Sequence, residues 1–188
     1  MRAPHYLVII LTMLSLTGCA GLSSPGSTQD SVIADSRTTK DKWNDSNIEF
    51  EVAGLGNKSP FRGEVRITAS SYNGTVVLIG QAKTQNQLDS FIEQAQKIKG
   101  VDTIHNQIRI KEPLSVTAMS SDSWITTKVK SALLTKSELS GVTVKVITED
   151  KEVFLLGYVS QEHADIATEV ARNISGVKQV VRAFQYGD

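Results

Sequence analysis

The 188 residues carry 20 lysines and arginines against 20 aspartates and glutamates. That balance argues against nucleic acid as a partner, because binders of this size are clearly basic. A single cysteine excludes an internal disulfide, and the length suits one domain or two small ones built as compact mixed α/β units.

Residues 1–18 read as a secretory signal, with Arg2 as the positive start and an almost unbroken apolar run over 6–16. The run is too short for a spanning helix, which needs about 20 apolar residues. Leu16-Thr17-Gly18-Cys19 resembles the lipobox of bacterial lipoproteins. The resemblance implies cleavage before Cys19 and lipid chains on its sulfur, with no other cofactor. It also implies that Ala20, where inner-membrane lipoproteins carry aspartate, directs the chain to the periplasm-facing leaflet of the outer membrane. Losing 1–18 removes one charged residue, Arg2, and leaves a net charge near −1. Residues 19–42, rich in Ser, Thr, Gly and Asp, read as a flexible lipidated tether.

Sliding the remainder by 77 residues aligns it with itself. Asp45-Ser46 falls on Asp122-Ser123, Val52 on Val129 and Val65 on Val142. Val76-Val77-Leu78-Ile79-Gly80 falls on Val153-Phe154-Leu155-Leu156-Gly157, and after one deletion Gly100-Val101 falls on Gly176-Val177. The first copy predicts a helix from Asp45, strands at 65–70 and 75–82 around an Asn73-Gly74 turn, a helix at 87–99 and a strand at 103–110. The second predicts a helix capped by Ser121 or Asp122, strands at 142–147 and 153–159, a helix at 161–174 and a strand at 180–186. Gly54 and Gly56 inside the first helix predict a short or frayed element, and Trp43 just before it suits a staple, the favoured reading, or a partner contact.

The order αββαβ, with Val-x-Leu-x-Gly after the hairpin and Gly-Val before the last strand, resembles the BON domain, a module of exported bacterial proteins associated with phospholipid membranes. The resulting fold class is α+β: two tandem domains, each a three-stranded mixed sheet with two helices on one face, expected to pack together. The boundaries read as domain one at 43–112, a linker at 113–121 and domain two at 122–188.

The two first helices differ outside their shared core. Asn47, Glu49, Glu51 and Ala53 stand opposite Trp124, Thr126, Lys128 and Lys130, acidic against basic with an aromatic. Ile125, Val129, Ala132 and Leu133 share one arc, while Trp124, Thr127, Lys128, Ser131 and Thr135 share a more exposed one. An indole beside lysines suits headgroup depth at an anionic membrane; it equally suits packing against the sheet. The BON resemblance implies that this helix contacts phospholipid, and Trp124, Thr127, Lys128, Lys130, Ser131 and Thr135 are the candidate residues.

Catalytic motifs are lacking. His105 and His163 have no cysteine or carboxylate at ligand spacing, so neither a metal nor an enzymatic activity is expected. Two functions remain. One is a lipoprotein reading anionic phospholipid and supporting envelope integrity, with enrichment at division sites implied by the resemblance. The other is an adaptor for the outer-membrane protein assembly machinery. The oligomeric state is open.

Overall fold

The computed structural model describes residues 35–187; the signal segment, Cys19 and the tether as far as residue 34 lie outside them. Domain one contains α1 (Thr39–Gly56), β1 (Val65–Tyr72), β2 (Thr75–Ala82), α2 (Gln85–Ala95) and β3 (Thr103–Ile110). Domain two repeats the order with α3 (Val116–Leu134), β4 (Lys145–Glu149), β5 (Glu152–Val159), α4 (Gln161–Arg172) and β6 (Gln179–Tyr186), adding a single 3-10 turn at Ser137–Leu139. In each sheet the central strand pairs antiparallel with its hairpin partner and parallel with the last strand. The expected αββαβ pair is present.

The first helices begin earlier than expected. Thr38 caps α1: its hydroxyl accepts from the Asp41 amide, and the Asp41 carboxylate accepts from the Thr38 amide, a reciprocal box that ends the tether several residues early. Ser115 caps α3 by accepting from the Ala118 amide. Residues 116–121, read as linker, are therefore helix, and neither Ser121 nor Asp122 is the cap. The α1 helix also runs through Gly54 to Gly56 without fraying. Trp43 lies inside that helix with 66% of its surface exposed, so it staples nothing.

Asp45 and Asp122 have another task. Each is a buried helix residue whose carboxylate turns toward the hairpin of its own domain. Asp45 accepts from the amides of Asn73 (3.0 Å) and Gly74 (3.2 Å), and Asp122 from those of Asp150 (2.7 Å) and Lys151 (2.9 Å). Both turn pairs sit at positive φ, the geometry of a two-residue hairpin loop. The second copy forces a lysine, φ 64°, into the place where the first has Gly74. Lys151→Gly is expected to stabilise the fold by about 0.5–1 kcal/mol, the relieved left-handed strain less the entropy glycine adds to the unfolded chain. A melting temperature raised by roughly 1–4 °C would show it.

The glycine ending each Val-x-Leu-x-Gly run has a steric cause. A Cβ on Gly80, at φ 147°, would lie 1.9 Å from the Arg66 carbonyl oxygen, and one on Gly157, at φ 152°, 2.6 Å from that of Thr143. No larger residue fits against the neighbouring strand.

Side chains alternate along the central strands and build three cores. Val76 and Leu78 join Ile48, Val52 and Phe91 beneath α1 and α2, and Val153 and Leu155 join Ile125, Val129 and Ala167 beneath α3 and α4. The opposite faces meet each other: Ile79 packs with Phe154 and Leu156, flanked by Val77, Ile147, Val181 and Ala183. The layers thus run helices, sheet, sheet, helices, and the two domains do pack together.

Candidate membrane-facing surface

The helix α3 buries Asp122, Ile125, Val129 and Leu133 and turns its opposite face outward. Trp124 is 64% exposed, which answers the question the sequence left open between sheet packing and solvent. Thr127, Lys130, Ser131 and Thr135 are exposed with it. The Thr127 and Thr135 hydroxyls donate to carbonyls one turn back, those of Ser123 (3.0 Å) and Ala132 (2.8 Å), which satisfies them within the helix. Two residues that sequence reading missed complete it: Val116 and Leu134, the latter 87% exposed. Leu134 lies on the Trp124 arc of a helical wheel, within about 80° of it, so the signal was available. Lys128 stands apart from the other candidates. It is half-buried, and its ammonium donates to the Ser175 carbonyl in the loop before β6, which ties α3 to that loop.

The result is an exposed apolar stripe of valine, tryptophan and leucine along a 19-residue helix, bordered by Lys130. Such a surface can enter an interfacial layer or take an apolar partner. Among the described residues no helix is long and apolar enough to cross a membrane, and no group of three His, Cys, Asp or Glu side chains is placed to hold a metal ion. His105 is exposed on β3, and His163 is buried with Nδ1 2.9 Å from the Ser160 hydroxyl.

The segment that enters α1 is anchored. Arg37 stacks 3.9 Å above the Tyr72 ring, donates to Asp35 and to the buried Asp45, and Tyr72 in turn stacks on Tyr158 of domain two at 5.8 Å. The Arg37 hydrogen bonds hold the Asp35 carboxyl well below the usual carboxylate range. Burial pushes the Tyr72 hydroxyl up to about 12, helped by the charge of Asp35. Burial opposes ionisation of Asp45, yet the donors from Ser71, Arg37, Asn73 and Gly74 outweigh it and keep its pKa low.

The BON domain model matches residues 44–112 and 121–188. The outer membrane lipoprotein DolP of Haemophilus influenzae is 37% identical over 183 residues, covering 96% of this chain and 95% of its own. The 21 kDa hemolysin of Actinobacillus pleuropneumoniae is 44% identical over 153 residues, covering 81% and 79%. With a BON match on each repeat and a relative alike along nearly its whole length, the chain belongs to the BON domain family as a tandem, DolP-like member.

Proposed function

We propose that the protein is a non-enzymatic lipoprotein of the outer membrane, held by lipid on Cys19, that reads anionic phospholipid with the outward face of α3 and so supports envelope integrity. The observation that carries this reading is the exposed Trp124 on one stripe with Val116 and Leu134. An indole at headgroup depth with aliphatic side chains on either side is the pattern of a helix lying in the interface. The Haemophilus relative, an outer membrane lipoprotein by name, supports the location. Lys130 supplies an attraction of about 1 kcal/mol to an anionic surface. Such a face binds weakly in free solution, and the lipid anchor compensates by holding the bilayer at high local concentration.

The test uses the chain from Ala20 onward, without lipid, sedimented with vesicles of phosphatidylcholine with or without phosphatidylglycerol. Wild type is expected to sediment with the anionic vesicles. Trp124→Glu is expected to lose about one to two orders of magnitude in affinity, the burial of one large side chain. Its melting temperature should stay unchanged, as for an exposed position. Equal sedimentation of the variant would reject the lipid role of α3 and leave the assembly adaptor as the better reading.

A further inference from the structure

The outward face of α1 carries two aromatic side chains for which the fold has no use. Trp43 and Phe50 are 66% and 78% exposed, and their spacing of seven residues places them two turns apart on one side of the helix. The next position on that side is Gly54, whose missing side chain opens on empty space. No packing within the domain demands a glycine there, although it costs the helix about 1 kcal/mol against alanine. Beside Phe50 the gap continues into a shallow groove floored by Leu55 and Ile98 and bordered by Glu51, Lys58 and Lys97.

The acidic character that the sequence suggests for this helix is mostly consumed inside the protein. Asp45 is buried against the hairpin turn, Asp41 serves the cap, and Glu49 accepts from the Ser71 amide (2.9 Å) and from Lys145 of domain two (2.7 Å). What borders the aromatic pair is Lys40 and Glu51 on α1, within about 60–100° of it on the helical wheel, and Lys58 in the turn after the helix, which lines the groove beside Phe50. Lys97, in the turn after α2, pairs with Glu93.

From this geometry we infer that the Trp43–Phe50 face of α1 is a second bilayer contact, separate from α3 and taking the same class of ligand, the headgroup layer of an anionic phospholipid membrane. Two observations select a membrane over other occupants. The charge around the pair, Lys40, Lys58 and Lys97 against Glu51 and the Lys97 partner Glu93, is basic by one, complementary to anionic lipid. The helix is also the first described element after Cys19, and here the inference rests on the lipid that the proposed function places on that cysteine. Its first residue, Thr39, follows Cys19 by 20 residues, so it can stand no further than about 65–70 Å from the anchor. A bilayer is always within that distance, and the restricted volume makes weak aromatic insertion effective. The inference shares its ligand with the α3 reading but no residue.

The chain contains only two tryptophans, one on each helix, and this gives separate reporters. In the chain from Ala20 onward, Trp124→Phe leaves Trp43 as the sole indole, and Trp43→Phe leaves Trp124. Vesicles of phosphatidylglycerol and phosphatidylcholine, plain or with brominated chains, are added to each. Trp43 emission is expected to shift to the blue and to be quenched by the brominated chains. Adding Phe50→Glu should weaken that response about tenfold. A silent Trp43 alongside a responding Trp124 would overturn the inference and leave the α3 reading intact; a responding Trp43 with a silent Trp124 would do the reverse. A Trp43 that ignores vesicles but shifts with protein concentration would assign the face to a second copy, and the inference would fall.

Discussion

Glu149→Ala is expected to destabilise the protein by about 2–4 kcal/mol and to loosen the joint between its domains. Glu149 ends β4, is buried, and receives the Arg66 guanidinium and the Gln81 side-chain amide (2.7 Å), both from domain one. Gln81 is only 1% exposed, and its other atom accepts from the Leu114 amide, so alanine leaves a buried amide group with no alternative partner. An orphaned buried donor costs about 1–3 kcal/mol, and breaking a buried ion pair by removing one side about 3–5 kcal/mol. The upper figure is discounted because Arg66 retains some access to water. Glu149→Gln keeps an acceptor for Gln81 and should lose roughly half as much. The exposed interdomain pairs, Arg109 with Glu152 and Lys111 with Asp150, serve as comparison; each should be worth at most about 1 kcal/mol. Calorimetry of the two Glu149 variants beside Arg109→Ala and Lys111→Ala settles the ranking, and because Glu149 couples the domains, its loss should broaden the transition or divide it in two. A melting temperature equal to that of wild type would mean that the apolar contact of Ile79 with Phe154 and Leu156 holds the interface unaided.

The fold was legible because it is written twice. The repeat places all six strands of the described residues and both second helices to within a few residues, and the structure supplies the steric reason for the glycine that ends each Val-x-Leu-x-Gly run. Local rules failed where a residue serves something distant in sequence. Asp122 looks like a helix cap when only its neighbours are considered, but its partners are the amides of residues 150 and 151. Glu49 counts as a surface charge until the domains meet and Lys145 claims it. Trp43 was read as a staple because the helix start was placed too late, an error the Thr38 box corrects. On the candidate surface the sequence identified Trp124 and its hydroxyl neighbours. It could not decide exposure, and it passed over Leu134 because an apolar residue beside Leu133 is easily taken for core. Lys128 keeps its charge, but its ammonium is tied to the Ser175 carbonyl, a partner 47 residues away that helix periodicity does not show.

Asp45→Ala should cost about 3–4 kcal/mol, more than the same change at Asp122, and the difference follows from the number of donors. Asp45 accepts from Ser71 (2.7 Å), Asn73, Gly74 and Arg37 (2.8 Å), whereas Asp122 accepts from two amides. Alanine leaves the turn amides unpaired in both domains, about 2–3 kcal/mol in each. In domain one it also strips Arg37 of one of its two carboxylates, weakening the cation over Tyr72. The dependence on pH gives a second readout. Both Asp35 and Asp45 have their pKa values lowered by folding. Their contribution is therefore complete above the unfolded value of about 4 and is lost as pH falls through the folded values. Wild type should lose stability steadily as the solution is acidified below about pH 4, and Asp45→Ala, already lacking one of the two groups, should lose less over the same interval. Parallel curves for the two proteins would mean that the acid sensitivity arises from other carboxylates, and that the grip of α1 on its hairpin rests on apolar packing instead of on this carboxylate.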